Sequence, residues 1–343
     1  IHPMWLRERV TDAKYLDKNN GQRLYDPSKI KKNIKIERAL IKNKFLNIKF
    51  SDGVQSDYFI KDLIKEINKN SFQKNLKLWN SNIKYKPIYK YEKNLFNTKR
   101  GLKVIKDFYK FGFSIIKKTP IKKNYILNFA NSLGILRKTN FGKLFNVRSV
   151  RKASDLAYTS HALAAHTDNP YRRPIPGIQI LHCLKNDSIG GHSTLTDGFA
   201  VAEYMRKKYA KYFKILSTVK IRFSYQDKNT YLVNWGETIQ LDSDNTIKRV
   251  RLSPRLDYVQ VFKKDKLDQF YKARSLFIKL CNSKKFMIEF KLSPGDMMLM
   301  DNYRTLHGRT KYDMSFGERH LQGCYIEHDS VESKMKKLEA TDM

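Results

Sequence analysis

The chain has 343 residues, enough for one large domain and a smaller one, each able to bury its own core. Its 68 Lys and Arg against 33 Asp and Glu give a net charge of +35, but the basic residues run along the whole length with no nucleic-acid motif beside them, which favours a solvated basic surface over a dedicated nucleic-acid arm. The three cysteines, Cys183, Cys281 and Cys324, are far apart, which argues against a disulfide framework or a thiolate zinc site, and no apolar run is long enough to span a bilayer.

Taken in order, residues 1–75 read as a small β-rich module. Turn residues punctuate its first thirty positions, and FLNIKFSDGVQSDYFI gives two alternating stretches joined at Ser51-Asp52-Gly53, a hairpin signal. DYFIKDLIKEI continues with helical spacing. Residues 76–98 are polar and aromatic without period and read as a linker packed across the larger domain, leaving 99–343 as the main domain. There LKVIKDFYKFG predicts a helix stopping at Gly112, FSII a buried strand, and IKKNYILNFANSLG a helix stopped by Gly134. PGIQILHCL is an apolar strand, and GGHSTLTDGF a turn entering another. FAVAEYMRKKYAKYFKIL has helical spacing, followed by short β-like stretches to DYV. KDKLDQFYKARSLFIKLC brings Leu267, Phe270, Tyr271, Phe277, Ile278 and Cys281 near one helical face. MIEFKLSPGDMMLMDN gives two strands about a Ser-Pro-Gly-Asp turn, ERHLQGCYIEH a last strand, and SVESKMKKLEA a closing helix. The fold class expected is α+β, mainly β: a double-stranded β-helix, or jelly roll, whose mouth can hold a metal. The N-terminus lacks the apolar core of a signal peptide and the cysteine usage fits a reducing compartment, so the expected location is cytoplasmic.

The stretch that organises this reading is His166-Thr167-Asp168. In an extended segment residues two apart project from one face, so an imidazole and a carboxylate there can grip one ion. DMMLMDNYRTLHGR supplies a second histidine, His307, just after an apolar run. Two imidazoles and one carboxylate make the facial triad that leaves open positions on non-haem Fe(II). Twelve residues further on lies Arg319, a planar fork suited to a keto-acid carboxylate. The pair alone is also compatible with a loop histidine beside a capping aspartate; order and spacing of all four residues favour the metal. His182, His192 and His320 are the rival imidazoles; HCL and RHL are apolar strand contexts, and a structural role is expected for each of the three.

AYTSHALAAHTDNPYRRPIPGIQILHCL, GGHSTLTDGF, DNYRTLHGR and RHLQGCY together resemble the gamma-butyrobetaine and trimethyllysine dioxygenase group of the taurine-dioxygenase-like Fe(II)/2-oxoglutarate oxygenases. The resemblance covers essentially the whole chain and is strongest over 134–330. It implies Fe(II) held by His166, Asp168 and His307, 2-oxoglutarate as co-substrate bound by Arg319 with Ser193 nearby, O2 as oxidant, and a homodimer. It also implies that residues 1–75 correspond to a small accessory domain, which in the animal enzymes carries a cysteine-rich zinc site. No cysteine precedes Cys183 here, so no structural zinc is expected.

The implied substrate is a small quaternary ammonium compound, with neither nucleic acid nor membrane as partner. Lacking an N–H, such a cation is recognised by aromatic faces. The family's aromatic cage falls on Phe141, Phe145, Tyr158 and Tyr325. At the other end, where butyrobetaine enzymes place two asparagines, this chain has Asp155 and the Ser253–Arg255 stretch, with Asn169 following the metal pair. Asp155 repels a lone carboxylate unless Arg255 neutralises it. The expected reaction is hydroxylation of gamma-butyrobetaine to carnitine; 2-(trimethylamino)ethylphosphonate and trimethyllysine stay open as substrates, and a basic nucleic-acid binder or oxygenase remains the reading from another class.

Overall fold

The structure is a computed structural model that describes residues 1–68, 75–148, 160–313, 315 and 317–341. It comprises two compact units, Ile1–Asn75 and Leu76–Met343. In the first, a three-stranded antiparallel sheet runs in sequence order through Ile36–Lys42, Phe45–Phe50 and Gln55–Phe59, followed by the helix Ile60–Ile67. The Ser51-Asp52-Gly53 turn lies where its pattern places it, with Gly53 in the left-handed region at φ +81°. The strand Ile36–Lys42 escaped the sequence reading because it is exposed along nearly its whole length, so no alternation marks it. Asp57, Tyr58 and Phe59 belong to a strand, not to the helix expected from Asp57 onward. Leu6, Val10, Ile34, Ile48, Phe50, Tyr58 and Leu63 form this unit's apolar core, and the Tyr58 hydroxyl donates to Leu6 O at 2.7 Å.

The second unit is built on two antiparallel sheets. We number its eight framework strands β1 (Phe113–Lys117), β2 (Leu163–His166), β3 (Ile178–Asn186), β4 (Ser193–Asp197), β5 (Met287–Phe290), β6 (Met297–Asp301), β7 (Thr305–Arg309) and β8 (Arg319–Ile326). One sheet carries β1-β6-β3-β8 in that spatial order, the other β5-β4-β7-β2. Successive strands cross from one sheet to the other, except β4 and β5, which pair within one sheet, the jelly-roll arrangement. Phe113, Ile115, Leu181, Cys183, Leu195, Ile288, Met298, Met300 and Leu321 fill the space between. A parallel strand, Ile88–Lys90, extends the first sheet beside β1, and Trp79 packs into the core. Residues 76–98 are thus part of this unit.

The helix Lys99–Phe111 ends at Gly112, whose φ of +78° and N–H to Phe108 O close the last turn. Gly134 terminates Tyr125–Leu133 differently. Its backbone is extended, and a Cβ there would meet Ser330 Oγ at 2.5 Å, so close approach to the C-terminal helix His328–Thr341 requires the glycine. The segment read as one helix after Asp197 is two, Gly198–Lys208 and Ala210–Thr218, broken at Tyr209 (φ −138°). In Lys264–Cys281 the buried stripe is Phe270, Ala273, Phe277 and Cys281, while Tyr271 faces solvent. These three helices share a second apolar cluster with the β insert that lies between Lys220 and Tyr258.

A buried ion pair ties these layers together. Arg304, 1 % exposed, forks onto Asp197, 0 % exposed, through Nε–Oδ1 at 3.1 Å and Nη2–Oδ2 at 2.7 Å. The other donors of Arg304 meet the carbonyls of Lys77 and Lys110. Asp197 also accepts from the N–H groups of Phe199 and Ala200, capping their helix, and from Trp79 N.

His182 is fully buried on β3 and aims Nε2 at Thr119 Oγ1, 3.2 Å away, while that hydroxyl donates to Gly295 O. His182 is therefore an Nε2–H donor here, and burial pushes its pKa down to about 4. Because the folded value lies below the unfolded 6.5, the unfolded chain binds more protons between the two. The contribution of His182 to stability is full above about pH 6.5 and is lost as pH falls through that window towards 4. Denaturant titrations at pH 7 and pH 5 should show this loss, and His182→Gln should make it smaller; an unchanged difference assigns the pH dependence to other groups.

Candidate metal centre and pocket

Strand register brings the two imidazoles together. His307 on β7 lies directly opposite His166 at the end of β2. Opposed residues of an antiparallel pair share a face, and the two ring centroids are 4.3 Å apart. Asp168 lies just beyond β2, and its position rests on Asn302 as well as on strand geometry. Asn302, 2 % exposed, accepts from Asp168 N at 2.7 Å and donates to Asp168 O at 2.9 Å. Thr167 N is held by Leu252 O at 2.7 Å. Asp168 Oδ1 is consequently 3.5 Å from His166 Nε2 and 3.7 Å from His307 Nε2. Among the described residues, His166, Asp168 and His307 are the one group of three potential metal ligands, with ligand atoms all within 4.8 Å of one another.

The donor set is prepared for a cation. His166 Nδ1 donates to Ala164 O at 2.9 Å, which fixes the tautomer and frees the Nε2 lone pair. Burial, then the neighbouring His166, pushes His307 down to about 4, so it is neutral at physiological pH. Burial would raise the Asp168 carboxyl, but His307, His166 and the Tyr325 hydroxyl outweigh it and hold it well below the usual carboxylate range. An anionic carboxylate and two imidazoles, that of His307 neutral, fit a divalent metal with open positions.

These groups line a pocket of about 940 Å3, measured with its open mouth. Ser193, Arg319, Phe141, Phe145, Tyr325, Asn169 and Arg255 all line it together with the triad. Asp155 and Tyr158 lie outside the described residues. Period-two alternation explains the placement of Arg319 and Tyr325, six residues apart on β8 and therefore on one face. Arg319 is 6 % exposed, and among the described residues its guanidinium donates one hydrogen bond, from Nε to Gly191 O at 3.1 Å. Burial, then the nearby Arg309, lowers it to about 10, so it stays charged. Arg309 also faces the pocket, and the Tyr312 ring lies 4.9 Å from its guanidinium and 5.8 Å from that of Arg319. A buried guanidinium with, among the described residues, donors to spare beside this metal set suits an anionic ligand.

Phe145 and Tyr325, also in the lining, have ring centroids 5.3 Å apart. Phe141 contacts Tyr225, which stacks on Tyr171 at 5.0 Å. The rival imidazoles have partners of their own: Thr119 for His182, Glu289 for His192 and Asn146 for His320.

Several pocket residues escaped the sequence reading. Gln179, 3 % exposed, donates to Asp168 Oδ2 at 2.5 Å; its one signal was a polar residue inside the apolar run PGIQILHCL. Asn302, which holds the Asp168 backbone from outside the pocket lining, had only its place within the DNYR turn, and Tyr171 and Arg309 were each two residues from a nominated residue.

Residues 87–325 match the family described as taurine catabolism dioxygenase TauD, TfdA family. The chain belongs to this family of dioxygenases. It is 33 % identical to gamma-butyrobetaine dioxygenase of Pseudomonas sp. (strain AK-1) over 228 residues, which span 66 % of this chain and 60 % of that enzyme. It is 28 % identical to the gamma-butyrobetaine dioxygenase of Homo sapiens over 352 residues, covering 98 % of this chain and 90 % of the relative. Among solved structures it resembles the non-haem iron oxygenase OrfP, crystallised with Fe and alpha-ketoglutaric acid, at a TM-score of 0.54 and 13 % identity over 72 % of this chain and 94 % of OrfP. That likeness is one of fold. The double-stranded β-helix is the TauD/TfdA core, and no helix among the described residues is long and apolar enough to cross a membrane.

Proposed function

We propose that this TauD/TfdA-family enzyme hydroxylates a trimethylammonium zwitterion, gamma-butyrobetaine first among candidates and carnitine its product, with Fe(II), 2-oxoglutarate and O2. The observation that carries the proposal is the convergence in one pocket of the His166–Asp168–His307 set, the buried Arg319 and a wall of aromatic rings. Bound iron would supply the chemistry that couples decarboxylation of 2-oxoglutarate to succinate and CO2 with insertion of an oxygen atom from O2 into a substrate C–H bond. His166, Asp168 and His307 hold the metal. Arg319 takes the distal carboxylate of 2-oxoglutarate, with Ser193 beside it. Phe141, Phe145 and Tyr325, and by resemblance Tyr158, offer ring faces to the trimethylammonium group. Asn169, Arg255 and, by resemblance, Asp155 address the opposite end.

Arg255 in the pocket favours an oxyanion at that end, which keeps the phosphonate analogue in contention beside the carboxylate. Succinate release and product formation with gamma-butyrobetaine, 2-(trimethylamino)ethylphosphonate and trimethyllysine decide among the three. Coupled turnover of the phosphonate with none of gamma-butyrobetaine would overturn the leading assignment. Titration of labelled DNA addresses the reading from the other class, which requires tight, steeply salt-dependent binding. Replacing Arg319 by Ala removes charge-assisted hydrogen bonds worth about 1.5–3 kcal/mol, so the 2-oxoglutarate KM should rise about 10–100-fold while the KM for the ammonium substrate moves little. An unchanged 2-oxoglutarate KM would remove Arg319 from this role. The reading further assigns Ile1–Asn75 the part of an accessory domain, the assembly a homodimer, and the protein a reducing compartment such as the cytoplasm, in keeping with three buried free cysteines.

A further inference from the structure

The second oxygen of Asp168 is fully engaged. Tyr325 donates its hydroxyl to Oδ2 at 2.7 Å, and Gln179 donates Nε2 to the same atom at 2.5 Å. The two donors are not accidental neighbours: Tyr325 on β8 and Gln179 on β3 are cross-strand partners in the register of the larger sheet. Both are buried, at 4 % and 3 % exposure. A carboxylate can only accept, so its presence fixes which end of the Gln179 amide faces it. Oδ1 is the oxygen that lies between the two imidazole Nε2 atoms.

We propose that Tyr325, with Gln179, is a positioning residue of the metal centre: by occupying Oδ2 it holds Asp168 to a single-oxygen ligand, while the same ring forms a wall of the substrate pocket. The consequence is a coordination count. Three protein ligands leave three positions on a six-coordinate ion, which suffice for a chelating keto acid and O2. A carboxylate free to turn and grip with both oxygens would take one of those positions. One side chain thus serves two sites. The wall against which a substrate cation would rest also steadies the carboxylate of the metal set, so crowding at the ring bears on the metal ligand directly.

The inference rests on the triad being a metal site, and the test separates the two. Co(II) serves as probe, with affinity measured by equilibrium dialysis so that no turnover is needed. Wild-type protein should bind one Co(II) per chain; absence of binding would sink the metal-site reading itself. Tyr325→Phe keeps the ring and loses the hydroxyl, and Gln179→Leu removes the second donor. Each should weaken Co(II) binding about 10–100-fold, the usual effect of losing an outer partner of a ligand. The visible spectrum of the bound Co(II) should change as the carboxylate alters its grip. Tyr58→Phe, which loses a buried hydroxyl in the other unit, controls for mere loss of stability: its thermal midpoint should fall while Co(II) affinity holds. Folded Tyr325→Phe protein with wild-type affinity and spectrum would refute the positioning role and leave the metal site standing.

Discussion

His307→Ala should yield folded protein that retains no iron through desalting and shows no detectable coupled turnover. The expectation follows from where His307 sits. Its register opposite His166 places it, among the described residues, in the one group of three potential metal ligands, and β7 supplies it whereas His166 and Asp168 come from the end of β2 and the turn just beyond. Loss of an outer hydrogen-bond partner already costs about 10–100-fold in metal affinity, so loss of an inner nitrogen ligand should exceed that range. Fold stability at neutral pH should fall modestly, because the imidazole is neutral in the folded and unfolded chain alike and its truncation leaves a void beside His166. Metal analysis after dialysis, with a thermal scan alongside, checks both halves. Full iron content in the variant would place the metal elsewhere.

The largest stability effect should come from Asp197→Ala. Arg304 would be left at 1 % exposure with its guanidinium facing no carboxylate, and breaking a buried pair by removing one partner costs about 3–5 kcal/mol. The same change removes the cap on the helix Gly198–Lys208, worth about 1 kcal/mol, and the acceptor for Trp79 N. Removing both charges with Asp197→Leu and Arg304→Met should be milder than the sum of the single changes, since no uncompensated ion remains. Urea titration of Asp197→Leu, Arg304→Met and the double variant, with Asp197→Ala alongside, measures this. Additive losses would mean that the pair does not act as a unit. Because Arg304 lies three residues before His307, the destabilised variant should also load metal poorly.

The residues that converge on the pocket were legible in the sequence because they are unusual types in fixed order: an imidazole and carboxylate two apart, a second imidazole after an apolar run, an arginine twelve residues on. What supports them was not, because support depends on register between distant strands. Nothing in PGIQILHCL indicates that Gln179 meets Tyr325, 146 residues later, across a sheet. Asn302 reads as a turn residue until its two hydrogen bonds to the Asp168 backbone are seen. Asp168 was expected to gain its position from strand alternation, yet β2 ends at His166 and the asparagine does the holding. Residues 76–98 lacked periodicity because they pack by single anchors such as Trp79 and one short strand, so they read as a linker. Helix ends showed the same limit: Gly112 stops its helix by left-handed geometry, as a glycine should, whereas Gly134 is required by a neighbour 196 residues away.

Anaerobic equilibrium dialysis of the purified chain against Fe(II) and 2-oxoglutarate, alongside His307→Ala and Arg319→Ala, tests the assembly of this pocket most directly. The wild type should hold one iron and one keto acid per chain, His307→Ala neither, and Arg319→Ala the iron with a much weakened keto acid. Equal retention by all three proteins would contradict a centre built from these side chains.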